Sequence, residues 1–261
     1  MRKSILGAAI LTILAGAGSL YWSAVIAPSV ILSISEESQS SLSQGFFQKD
    51  SSALPQNDKL LQYTGQAMNY LGDPKIIAGY PKQFVDELQK RLNTAIEYIA
   101  KSPKEEVYWI ELGMVKKQFD NYIGARDAWE YARLINNKNS IIYHNLGSLY
   151  ALYLRDFEKA EKYYQTSVNL DRLSSQSYLA LAEFYKDFYK EKSDLVDDVL
   201  LAGLGLLPHD ANLVLNLAFY YKSTGDKEKA IKYLEQFLQL PETNEYQAFA
   251  IKKELEALGA R

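Results

Sequence analysis

The stretch YHNLGSLYALYLRDFEKAEKYYQ, Tyr143 to Gln165, decides how this chain is read. It holds five tyrosines and one of the chain's two histidines, a density that suits either a stacking or reactive site or the packing of a structural unit. Its opening has three counterparts. WIELGMVK from Trp109, YHNLGSLY from Tyr143, YLALAEFY from Tyr178 and VLNLAFYY from Val214 each run large residue, two spacers, Leu, small residue. The small residues are Gly113, Gly147, Ala182 and Ala218, at successive spacings of 34, 35 and 36. A near-constant period of this length marks an array of supersecondary units.

A second set of windows follows the first: ARDAWEYA from Ala125, AEKYYQTS from Ala160, VDDVLLAG from Val196 and AIKYLEQF from Ala230. In each, a small or β-branched residue is followed by packing residues four and seven places on, which puts all three on one helical stripe. Turn signals such as RDFEK and STGDKEK separate the sets, and Pro208 and Pro241 close the last two. Two antiparallel helices per unit satisfy the pattern. Small residues sit where the backbones cross, large ones fill the space beside them, and each pair leaves an apolar face for the next pair to cover.

The pattern resembles the tetratricopeptide repeat. The motif residues are Trp109, Leu112, Gly113, Ala125, Trp129 and Ala132 in the first unit, and Tyr143, Leu146, Gly147, Tyr150, Ala160 and Tyr164 in the second. Tyr178, Leu181, Ala182, Tyr185 and Pro208 mark the third; Leu217, Ala218, Tyr221, Gly225 and Ala230 mark the fourth. Lys116, where an aromatic is usual, departs from it, as do Val196, Gly203 and Phe237, and the third unit carries extra residues in KDFYKEKSD. The resemblance implies an all-α fold, a tetratricopeptide-type α-solenoid in which helix-turn-helix repeats wind as a right-handed superhelix. It also implies a concave groove lined by the first helix of each unit, with Ile110, Met114, His144, Ser148, Leu179, Glu183, Leu215 and Phe219 facing it. Lys117, Asn145, Lys186 and Asn216 complete the candidate partner-binding set. Relatives that grip a C-terminal carboxylate use Lys/Arg and Asn on these helices. Here Asn145 and Asn216 stand without basic partners, since Ile110, Met114, Gln176 and Ala180 occupy the places where some are expected, so no carboxylate clamp is predicted.

Four repeats are predicted at 106–139, 140–174, 175–210 and 211–243. Residues 59–105 read as a helical N-terminal cap or degenerate repeat, with helices in KLLQYTGQAMNYL and KQFVDELQKRLNTAIEYIAKSP. Residues 244–261 read as a capping helix that turns Tyr246, Phe249, Ile251 and Leu255 inward and leaves Lys252, Lys253 and Glu254 to solvent. Upstream, no charge occurs between Lys3 and Glu36, and Ile5 to Ala27 alone is 23 residues, long enough to span a bilayer as a helix. Residues 1–35 are therefore predicted as one transmembrane signal-anchor. Arg2 and Lys3 leave the N-terminus cytoplasmic and the rest extracytoplasmic. Cleavage after Ala15-Gly16-Ala17, giving a secreted protein, is the alternative. Residues 36–58 read as a Ser-rich linker.

Composition narrows the function. A net charge of −3 gives no electrostatic footprint for nucleic acid. The absence of cysteine excludes thiolate ligands and thiol nucleophiles. His144 and His209 are 65 residues apart, and Asp194, Asp197 and Asp198 suit a helix start. Neither catalytic residues nor a cofactor or metal is predicted. Six tyrosines, Tyr143, Tyr150, Tyr164, Tyr178, Tyr185 and Tyr221, are expected in the core; Tyr131, Tyr153, Tyr189, Tyr220 and Tyr233 are open between packing and recognition. The expected function is a membrane-anchored scaffold, not an enzyme, whose groove binds a peptide or protein partner, in secretion, pilus or cell-envelope assembly. The alternatives are an extracytoplasmic glycan- or lipid-handling accessory factor, or a structural protein that associates with itself as a homo-oligomer.

Overall fold

The computed structural model describes residues 62–260. These form helices without any strand. After an irregular stretch and a single turn at Pro74–Ile77, the chain forms α1 (Lys82–Lys101), α2 (Glu106–Gln118), α3 (Tyr122–Ile135), α4 (Ser140–Leu149), α5 (Phe157–Leu170), α6 (Ser175–Glu183), α7 (Val196–Leu206), α8 (Ala211–Thr224), α9 (Lys227–Leu238) and α10 (Glu245–Leu258). π-helical turns lengthen α4 through Tyr150–Leu154 and α6 through Phe184–Phe188, and a 3₁₀ segment, Lys190–Leu195, leads into α7. The predicted membrane span and linker lie outside the described residues.

Helices pack as successive pairs, α2 with α3, α4 with α5, α6 with α7 and α8 with α9, around one continuous core. The small residues mark the crossings. A Cβ on Gly113 would stand 2.3 Å from Trp129 Nε1, and one on Gly147 would stand 2.9 Å from the Tyr164 ring. The indole is pinned there, because Trp129 Nε1 donates to the Ile110 carbonyl at 3.0 Å. Where the second helix instead brings Leu200 or Leu234 to that register position, the first helix carries Ala182 or Ala218, and all four are buried. Helix starts are fixed by side chains that accept backbone N–H groups: Asn121 for α3, Asn139 for α4, Asp156 for α5, Asp210 for α8 and Asp226 for α9. The six tyrosines expected in the core are all at most 8% exposed.

Two predictions at the ends of the array are corrected. Residues 62–71, within the first predicted cap helix, are not helical, and the irregular stretch continues to residue 73. They run as a strap along α3, with the Tyr63 ring tilted against Trp109 and edge-on to Tyr131 and the Gln66 backbone N–H donating to Asp127. Lys116 anchors the strap. Its side chain is wholly buried, and its ammonium donates to the carbonyls of Ala67 and Tyr70, both at 2.8 Å. Asn121 holds Gln66 and the Leu71 carbonyl beside it. The Ala67 carbonyl also accepts the Tyr70 backbone N–H at 3.1 Å, closing one turn that does not continue into a helix. At the other end, Ile251 is buried and Leu255 packs on the core, but Tyr246 is 82% and Phe249 58% exposed. Their phase puts them on the opposite side of α10 from Ile251 and Leu255. Glu254, expected in solvent, pairs with Lys222.

Candidate functional site

The first helices of the four pairs, α2, α4, α6 and α8, carry all twelve predicted groove residues. Ile110 is buried, and its carbonyl is committed to Trp129. Met114 is exposed on the next turn. Lys117 is half-buried with its ammonium 5.5 Å from the centre of the Tyr153 ring, and burial lowers its pKa. His144 and Ser148 are half-buried on α4, with the imidazole edge-on to Tyr164 at 6.0 Å. Burial, and then the charge of Lys117, hold the His144 imidazole below its ordinary value, so it is neutral at pH 7.

Tyr164, on the second helix of its pair, lies against two of these first helices, α4 and α6. Burial pushes its phenol up to about 12; a hydrogen bond with Ser148 lowers it and the Glu183 carboxylate raises it. His144 and Ser148 from α4 and Glu183 from α6 thus act on one ring, and the Lys117 ammonium of α2 acts in turn on His144. Asn145, Leu179 and Leu215 are half-buried.

Further along, Glu183, Lys186, Asn216 and Phe219 line a cavity of about 200 Å³ between α6 and α8. Ala182, Val196 and Leu200 form its apolar floor. The Asn216 amide donates to the Asn212 carbonyl at 2.9 Å, which leaves its oxygen as an acceptor. The Lys186 ammonium lies 3.5 Å from Asp187. An apolar floor beneath a rim of one amide, one carboxylate and one ammonium suits a single apolar side chain of a peptide whose backbone reaches Asn216. The remaining tyrosines divide: Tyr131 and Tyr233 are core, Tyr189 packs on Phe157 and Phe184, Tyr220 donates to the Ser193 carbonyl, and Tyr153 is exposed and stacked on Tyr122.

A second cleft, of about 530 Å³, escaped the sequence reading. It lies between α1 and α2 and is lined by Glu87, Lys90, Thr94, Tyr98, Val107 and Glu111, among others. The Arg91 guanidinium pairs with Glu111 at 2.8 Å at one end, and Tyr98 stacks on Tyr108 at 4.9 Å at the other. Among the described residues no group of three His, Cys, Asp or Glu side chains is placed to hold a metal ion. No helix among them is long and apolar enough to cross a membrane.

Residues 141–172 and 211–244 match the tetratricopeptide repeat family model. Tetratricopeptide repeats are thus present in the second and fourth helix pairs, within an all-α solenoid. No curated protein matches the chain. Among solved structures, MamA is similar at 14% identity, a TM-score of 0.49, and coverage of 67% of this chain and 95% of its own. YrrB, a TPR protein with an unusual peptide-binding site, is similar at 19% identity and a TM-score of 0.47, with 66% and 86% covered. The Cut9–Hcn1 hetero-tetramer gives 18% identity and a TM-score of 0.46, with 66% and 34% covered.

Proposed function

We propose that this chain is an interaction scaffold that holds a peptide segment of a partner protein along the face formed by α2, α4, α6 and α8. The observation that carries the reading is the convergence of Glu183, Lys186, Asn216 and Phe219 on one apolar-floored cavity, with Met114, Lys117, His144 and Ser148 continuing the same face. Phe219 stays 45% exposed although its helix neighbours Leu217 and Ala218 are fully buried, and an aromatic kept in solvent beside a cavity is a docking feature. The groove presents no paired cations, so its partner is an internal segment with apolar anchors rather than a free carboxy terminus.

Residues 1–35 serve in this reading as a membrane anchor that sends the array to the extracytoplasmic side. The support is the uncharged apolar run between Lys3 and Glu36. Anchoring raises the local concentration of the groove at the membrane, which suits secretion, pilus or envelope assembly. Photoreactive residues at Met114, Ser148 and Phe219 are expected to capture a common partner, while the exposed second-helix positions Lys162 and Lys232 capture none. Equal capture at all five positions would remove the groove as the binding face.

A further inference from the structure

The order of helices along the array leaves one unit divided between its two ends. From α2 to α9 each first-type helix is followed by its second-type partner. Helix α1 packs on α2 as α3, α5 and α7 pack on the helix that follows each of them, so it is a second-type helix, and among the described residues no first-type helix precedes it. Helix α10 follows α9 as a first-type helix, and among the described residues no second-type helix covers it. A first-type helix contacts its own partner and the next first-type helix, as α6 contacts α7 and α8. For α1 that place is the cleft between α1 and α2.

We propose that α10 of one copy lies in the α1–α2 cleft of a second copy, completing a shared repeat and joining the arrays end to end. The rule that orients every other pair orients this one: α10 runs antiparallel to α1 and parallel to α2. At that polarity the surfaces match. The exposed stripe of α10 is Tyr246, Phe249, Ala250, Lys253 and Ala257, apolar at its start with one cation further on. Tyr246 then meets the end of the cleft formed by Tyr98 and Val107, which are 45% and 55% exposed. Phe249 and Ala250 face Thr94, and Lys253 arrives at Glu87, with Glu111 held by Arg91 and Lys90 beside them. A cap that finishes a solenoid needs a polar outer face, and this one is aromatic. The strap does not compete for the cleft, because Tyr63 packs on Trp109, two residues and so about 200° around α2 from Val107. The contact is heterologous, so it propagates into filaments or rings and lays successive grooves in line.

The absence of cysteine in the sequence makes the test clean. The full chain in detergent micelles, carrying Thr94→Cys and Ala250→Cys together, is expected to give a ladder of disulfide-linked dimers, trimers and larger species on oxidation. Each single variant alone is expected to stay monomeric, and their equimolar mixture to stop at the dimer. Lys253→Glu added to the pair is expected to reduce cross-linking about tenfold, because it sets like charges together, and Glu87→Lys to restore part of it. Helical circular dichroism confirms that each variant is folded. A product confined to monomer in the double variant would overturn the proposal and leave the cleft to the first 61 residues or to another protein. Dimers from Ala250→Cys alone would also overturn it, since they would mean that two α10 helices meet face to face.

Discussion

At the scale of single residues, Lys116 shows how a departure from a pattern becomes a structural device. Burial holds its ammonium down to about 8 from an ordinary 10.5, although two carbonyls accept from it. Between pH 8 and 10.5 the unfolded chain therefore binds more protons here than the folded one. Stability from this group rises with pH across that window and is lost as pH falls through 8. Chemical denaturation from pH 8 to 9.5 is expected to show the wild type gaining about 1 kcal/mol per pH unit relative to Lys116→Met, with the lowered Lys117 common to both proteins. A flat difference would mean that the ammonium is not desolvated. The same substitution removes the ammonium that ties the Ala67 and Tyr70 carbonyls to α2 and leaves them only the weaker donors Tyr70 N–H and the Asn121 side-chain amide, so faster hydrogen exchange at residues 62–73 is expected. Gly147 makes the converse point. A methyl there meets the Tyr164 ring, so Gly147→Ala is expected to cost about 1–3 kcal/mol. Combined with Tyr164→Leu, which reproduces the Ala–Leu pairing of the later units, the loss is expected to fall below the sum of the single losses in a double-mutant cycle. The size of these residues was legible in the sequence. The partner of Lys116 was not, because it is the backbone of a segment 46 and 49 residues upstream, and backbone leaves no residue signature.

At the scale of elements, the drift of the repeat from 34 to 36 residues is absorbed where first-type helices end. Helix α2 ends with the Asn121 amide donating to the Lys116 carbonyl, five residues back. In α4 the equivalent bond runs from Asp156 to Tyr150, six residues back, through a π-helical turn. One inserted residue in a helix produces such a turn. Deleting Leu152, 37% exposed within it, is therefore expected to preserve cooperative thermal unfolding of the helices; loss of cooperativity would show that the π turn is required by the packing. The turns also share a left-handed residue, at Asp120, Arg155 and Gly225. Only the last is glycine, and a Cβ there would touch nothing within 4 Å, so Gly225→Ala is expected to cost about 1 kcal/mol, purely conformational, in a urea titration. Periodicity made the helices of the repeats readable. It failed for the strap, whose apolar residues pack on a neighbour chosen by tertiary contacts, and for Tyr246 and Phe249, whose phase on α10 opposes Ile251 and Leu255.

At the scale of the whole molecule, the placement of the candidate residues on first-type helices was readable because register alone assigns a face to each position of such a helix. What register could not supply is depth. Ile110 occupies a predicted groove position yet is buried, while Glu183, Lys186, Asn216 and Phe219 become a cavity only because the floor beneath them is made of Ala182, Val196 and Leu200. The cleft between α1 and α2 was invisible for a similar reason, since it exists only between two packed helices. Peptide binding by this face depends on the cavity between α6 and α8 acting as the anchor. The most direct measurement is fluorescence anisotropy with labelled peptides selected from a random library on the full chain. It compares the wild type with Phe219→Ser, Asn216→Ala and the outer-face control Lys232→Ala. The two cavity variants are expected to weaken binding at least tenfold and the control to leave it unchanged; peptides that bind all four proteins equally would contradict a role for the cavity as anchor.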